Sequence, residues 1–142
     1  SWETILRKRD GYREGYHDFD VERVANKTDF ELYKALQNPA IVRHRQKVPA
    51  ARKNARVFLK MQDEYGSFAT WLWDHVDGQP IRGDWPNRDD IPASTPLAEA
   101  ISKDLKKRGM SFVGPTIIYA NLQAVGVVND HWRGCWKSTD LR

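Results

Sequence analysis

A chain of 142 residues is long enough to bury one core and too short for a second large one. Hydrophobic residues make up 40% and aromatic ones 11%, which excludes a disordered tail, and the net charge of +4 admits a polyanionic partner without demanding one. The single cysteine, Cys135, excludes an internal disulfide framework and points to the reducing cytoplasm, while no apolar run approaches the roughly 18 residues of a membrane span and no signal peptide is visible.

The chain opens Ser1-Trp2-Glu3-Thr4-Ile5-Leu6, already in helical register and without an initiator Met. That reads as a chain cut inside or just before a helix, with a true domain start as the alternative. Trp2, Ile5, Leu6, Arg9, Tyr12 and Tyr16 fall at helical spacing and predict one first helix. Thr28-Asp29-Phe30-Glu31 is a capping box opening a short helix that carries Leu32, Tyr33 and Leu36 and stops before Pro39. After Ile41 a long helix runs to about Tyr65, its apolar stripe formed by Val48, Ala51, Ala55, Phe58 and Leu59, with Gly66 as its stop. Phe68, Trp71, Leu72 and Val76 mark another helix that closes near Gly78. Residues 79–93 fit no period and read as one long internal loop within a single helical domain spanning 1–142. Ser94-Thr95-Pro96 restarts a helix whose buried face is Leu97, Ala100, Ile101 and Leu105. Lys106-Lys107-Arg108-Gly109 ends it, Met110 to Val113 makes a short hairpin, and Gly114-Pro115 opens the last helix, to about Gly126. The fold class is therefore all-α.

Four constellations could carry chemistry. Lys107, Arg108, Gly109, Phe112, Gly114 and Thr116 lie on a glycine-bounded bend between two helices, where unpaired amides at the second helix start could hold a DNA phosphate. An ordinary helix corner capped by glycine fits the same pattern. His131 and Cys135, four apart, have the spacing of half a zinc clip, but equally of a surface histidine near a free thiol. Between Asn38 and Gln62 stand seven cations and no carboxylate, Arg43 and Arg45 leading, a one-sign run that supports an anionic partner. Trp2 could stack on a base swung out of duplex DNA, or simply pack in the core. No nucleotide-binding glycine loop, serine triad or metal-dependent hydrolase motif is present.

These segments together closely resemble the bacterial DNA-3-methyladenine glycosylase I family. The resemblance covers the whole chain and is carried by Ser1-Trp2 with Leu6-Arg7-Lys8-Arg9 and Tyr12-Arg13, by Ile41 through Lys47, and by Asn54-Ala55-Arg56. It continues through Ile91 to Thr95, Leu105 to Gly109, Phe112 to Thr116, Val128 to His131 and Gly134-Cys135. The resemblance implies a helix-hairpin-helix DNA glycosylase with its hairpin at Gly109 to Gly114, acting as a monomer on double-stranded DNA containing alkylated bases. It implies that Trp2 stacks on the excised base, and that His131 and Cys135 are two of four ligands to a structural zinc. Members of that family begin some forty residues earlier, and that stretch carries the other two zinc ligands and the glutamate that reads the base. No residue of this chain is assigned as catalytic, and the chain is expected to be inactive alone unless joined by that segment, cleaved or intact. Asp130, beside His131, is expected to orient a zinc ligand rather than act as a base. The competing readings are a non-catalytic helix-hairpin-helix DNA-binding module and a protein-docking domain with exposed tryptophans.

Overall fold

The computed structural model describes residues 1–138. Among them the architecture is helical: α1 (Trp2–Arg7), α2 (Arg9–Gly15), α3 (Val21–Ala25), α4 (Asp29–Gln37), α5 (Lys47–Tyr65), α6 (Phe68–Asp74), α7 (Pro96–Lys107) and α8 (Pro115–Ala124), with two-residue strands β1 (Ile81–Arg82) and β2 (Val128–Asn129). No helix among the described residues is long and apolar enough to cross a membrane. The chain divides into two compact units, one of residues 1–64 with 108–112, the other of residues 65–107 with 113–138.

In the first unit, the expected single opening helix is two. The helix breaks at Lys8, whose side chain leaves the surface pattern to donate to the carbonyl of Pro39 at 2.5 Å. Ser1 caps α1 by accepting the Thr4 amide. The capping box opens α4 as expected: the Glu31 amide donates to Thr28 Oγ1 at 3.2 Å and the Thr28 amide to Glu31 Oε2 at 2.7 Å. These reciprocal bonds hold the Glu31 carboxyl below its usual range, the backbone bond first. The core of this unit gathers Tyr16, Val24, Ala25, Leu32, Ala35, Ile41, Val48 and Ala55, with Leu36, Ala51 and Leu59 packed against it. Of Leu32, Tyr33 and Leu36 on α4, Leu32 is buried and Leu36 packs against the core, while Tyr33 is exposed. Between α2 and α3 a 3-10 turn, which no sequence pattern marks, takes His17, Asp18 and Phe19 through consecutive left-handed conformations (φ 54°, 54° and 62°). For residues other than glycine each such turn costs roughly 1–2 kcal/mol.

In the second unit, Ser67 caps α6 by accepting from Thr70, and α7 packs against α8. The buried face of α7 is Ala98, Ile101, Ser102 and Leu105; Ala100 lies outside, so the helix is phased differently from its expected face. The 79–93 segment is more ordered than a loop. Its β1 pairs in parallel with β2, Ile81 opposite Val128 and Arg82 opposite Asn129, and Asn87 to Asp90 forms a small capped turn. Two-residue strands are too short for periodicity to reveal.

Candidate nucleic-acid interface and C-terminal strap

The residues after α7 divide between the two units, 108–112 in the first and 113 onward in the second. On the first unit, Asn54 of α5 donates Nδ2–H to the carbonyl of Ser111 at 2.9 Å, and the Ser111 amide donates back to Asn54 Oδ1 at 2.9 Å. One side chain thus satisfies both backbone groups of the turn residue. Arg108 donates to Glu64 through NH1 at 2.7 Å and NH2 at 3.4 Å. Gly109 turns the chain at φ +106°, a conformation side chains rarely adopt, with Val57 and Lys53 nearby. Phe112 enters the left-handed region at φ 60° and remains 43% exposed. The edge of His44 meets its ring at 5.9 Å and 78°, and Lys47 Nζ stands 5.6 Å from its centroid. His44 Nδ1 also accepts from the Gln46 and Lys47 amides at the start of α5, so one imidazole serves both helix start and bend.

On the second unit, the buried Ser102 of α7 donates to the Val113 carbonyl at 2.6 Å. Gly114 is the N-cap of α8 and supplies no capping side chain, so the first-turn amides of that helix find no side-chain acceptor from their cap. Its backbone is ordinary (φ −64°) and a side-chain carbon there would meet nothing within 4 Å. Packing does not demand glycine at this position; an open approach to the amides is what its small size provides. Lys107 and Thr116 flank the bend and are exposed. Arg43 and Arg45, on the segment leading into α5, are likewise exposed. The structure therefore brings Gly109 and Phe112 into the first unit beside Asn54 and His44, with Arg108 paired to Glu64 there, while Lys107, Gly114 and Thr116 lie in the second unit. Asn54 and His44 were not singled out as site residues from sequence, because their partners lie far along the chain.

Trp2, on α1, is 77% exposed among the described residues. The same unit shows an apolar hollow of about 320 Å³ lined by Ile5, Leu6, Arg9, Tyr12 and Phe19, with Leu6 and Phe19 themselves mostly exposed. Phe19 owes its outward position to the strained turn described above. Trp71, by contrast, is the buried tryptophan, in contact with Phe68 and His75.

The segment after β2 folds back as a strap within the second unit. Arg133 donates Nε–H and NH2 to the two oxygens of Asp84 at 2.6 and 2.5 Å, and its amide donates to the Trp85 carbonyl at 2.9 Å. This pairing holds the Asp84 carboxyl below the usual range. His131 Nδ1 and Cys135 Sγ lie 3.5 Å apart, as the spacing predicts. Among the described residues no group of three or more His, Cys, Asp or Glu side chains could hold a metal. The pair fits zinc in donor chemistry and proximity, but it supplies half of a tetrahedral set.

Asp130 does not serve His131. It is buried and accepts from Trp85 Nε1 at 2.7 Å through one oxygen and from the Tyr119 hydroxyl through the other. Burial first, then this bond and the nearby carboxylate, push the Tyr119 phenol far above its ordinary value, so it stays a donor. A side chain on Gly83 would collide with Asp130 Oδ1 and Trp85 Nε1, so glycine there is what lets the two meet. The expected role of Asp130 in orienting a zinc ligand is thereby corrected: both its oxygens are committed elsewhere.

The family described as methyladenine glycosylase matches residues 1–138. The chain is 42% identical over 135 residues to DNA-3-methyladenine glycosylase 1 of Escherichia coli, covering 95% of this chain and 72% of that one. A crystal structure of a 3-methyladenine DNA glycosylase I is similar at 47% identity and a TM-score of 0.90, over 96% of this chain and 75% of that chain. The Staphylococcus aureus 3-methyladenine DNA glycosylase I, solved to explain 3-methyladenine recognition, is similar at 36% identity and a TM-score of 0.91, over 97% and 73%.

Proposed function

We propose that this chain, which belongs to the methyladenine glycosylase family, works in base-excision repair by hydrolysing the N-glycosidic bond of 3-methyladenine in alkylated DNA. The match across residues 1–138 carries the reading. It also decides against a non-catalytic DNA-binding module, since the relatives are named as glycosylases. Methylation at N3 makes the nucleobase cationic. When the C1′–N9 bond breaks, its electron pair passes to the ring and neutral 3-methyladenine leaves. The oxygen of water bonds to C1′, its spare proton passes to solvent, and an abasic sugar remains. Because the leaving group is already activated, the protein's work is to extrude the base, hold it and admit water.

In this proposal the bend grips the duplex. The segment from α7 through α8 is the helix-hairpin-helix element: in the second unit the amides opening α8 after Gly114 take a phosphate, with Lys107 and Thr116 contributing, and in the first unit Arg43, Arg45, Arg108, Gly109 and Phe112 make DNA contacts of their own. Trp2 offers its exposed indole face to the extruded cation, which gains from the ring's electron density. A structural zinc would be held by His131 and Cys135, with its remaining ligands supplied from outside the described residues. Bound there, it would tie the strap down and add folding energy. The protein acts as a monomer on double-stranded DNA, in the cytoplasm. Incubation of the full-length natural protein with alkylated duplex, followed by chromatography of the released bases, tests the reading. Free 3-methyladenine is expected; an intact alkylated strand contradicts it.

A further inference from the structure

A groove of about 940 Å³ runs along α5 within the first unit, and the side chains lining it include six cations and no carboxylate: Arg45, Arg52, Lys53, Arg56, Lys60 and Arg108. Three of these are held by the protein itself. Arg52 pairs with Asp29 at 2.8 Å and donates to the Lys27 carbonyl, Arg56 donates to the Ala25 carbonyl at 2.8 Å, and Arg108 pairs with Glu64. Arg45, Lys53 and Lys60 have no acidic partner among the described residues and are exposed. Positions 49, 52, 53, 56, 57 and 60 repeat at helical spacing, so the groove follows one stripe of α5. The cations of the stripe that lack an acidic partner repel one another, and a bound anion would relieve that repulsion.

We infer that this groove holds a stretch of the DNA sugar–phosphate backbone, as a contact separate from the amides that open α8. Lys53 and Lys60 are seven residues apart on one helix, which at 1.5 Å per residue separates them by about 10 Å. Phosphates of one strand advance about 3.4 Å each along the duplex axis, so the two ammonium groups span about three of them. The upper end of the groove is formed by Gly109, Ser111 and Phe112, and the Lys53 stem comes within 3.9 Å of where a Gly109 side chain would begin. The groove thus takes in residues 109–112 of the bend within the first unit, and offers a strand an electropositive path along α5. This inference rests on the DNA reading above.

The test is equilibrium binding of undamaged duplex by the full-length protein as salt is raised. Replacing both exposed lysines (Lys53→Gln with Lys60→Gln) removes two cations without touching the core. Its slope of log affinity against log salt should flatten by about 1.8, twice the 0.9 expected per phosphate contact, with affinity near 0.1 M salt falling by tens of fold. Lys34→Gln, on α4 and outside the groove, should leave the slope unchanged. A double variant with the wild-type slope, or an equal loss in Lys34→Gln, overturns the inference. Base release is followed in parallel. A wild type that binds steeply yet frees no 3-methyladenine defeats the glycosylase reading and leaves the groove standing; release with an unaltered slope in the variant defeats the groove alone.

Discussion

Asn54→Ala isolates what holds the bend. The Asn54 amide donates to the Ser111 carbonyl and accepts from the Ser111 amide, both at 2.9 Å and in a partly buried setting. Each bond contributes about 1 kcal/mol net, so removing both should favour opening of the turn by about 2 kcal/mol. That corresponds to roughly thirty-fold faster exchange of the Ser111 amide hydrogen, read by NMR in deuterated solvent. Exchange in the α7 interior, which makes no bond to Asn54, should change far less. Asn54→Asp keeps the acceptor for the Ser111 amide but sets an oxygen against the Ser111 carbonyl, so it should not restore protection. Because the bend is proposed to hold a phosphate, duplex affinity should fall in step with protection. Unaltered Ser111 exchange in Asn54→Ala refutes the claim that this side chain sets the bend.

Asp130→Asn puts a donor where two donors already point, at Trp85 Nε1 and the Tyr119 hydroxyl, and should cost about 1–3 kcal/mol in urea unfolding, with Trp85 fluorescence altered. Tyr119→Phe, which removes one of the two donors, should cost less. Acid sensitivity follows from Glu31 and Asp84, whose folded pKa values lie below their ordinary 4.5 and 3.8. Their stabilisation is complete above those ordinary values and disappears as pH falls through the folded ones. Glu31→Gln should therefore lower the urea midpoint at pH 7, and the gap to wild type should narrow as pH falls below 4.5; a gap that stays constant on acidification contradicts the assignment.

Local signals were legible and long-range ones were not. The Thr28–Glu31 box and the stops at Gly66 and Gly126 are spelled in adjacent residues, and the structure places them as read. The break at Lys8 carries no glycine, proline or capping side chain to mark it, so periodicity runs straight through it. The β1–β2 ladder joins two residues to two others across α7 and α8, leaving no alternation to detect. Asp130 misled because it stands beside His131 in sequence, whereas its side chain is buried against Tyr119 and Trp85, partners far along the chain or across a helix. Of the candidate site, the bend was visible as glycines and cations, but Asn54, which fixes it, looks like any surface amide until Ser111 is beside it. Trp2 is one of six tryptophans, and only resemblance separated it from core residues such as Trp71.

Single-turnover excision of 3-methyladenine by full-length wild type and Trp2→Ala, measured beside affinity for undamaged duplex, bears most directly on the central claim. Trp2 is exposed, so the fold should be disturbed by no more than about 0.5 kcal/mol. Stacking of a base on a ring is worth about 1–3 kcal/mol, so excision should slow by roughly five- to 150-fold while undamaged-duplex affinity holds. Equal excision by the two proteins, or a parallel loss of both properties, contradicts a site in which the bend grips the backbone and Trp2 receives the damaged base.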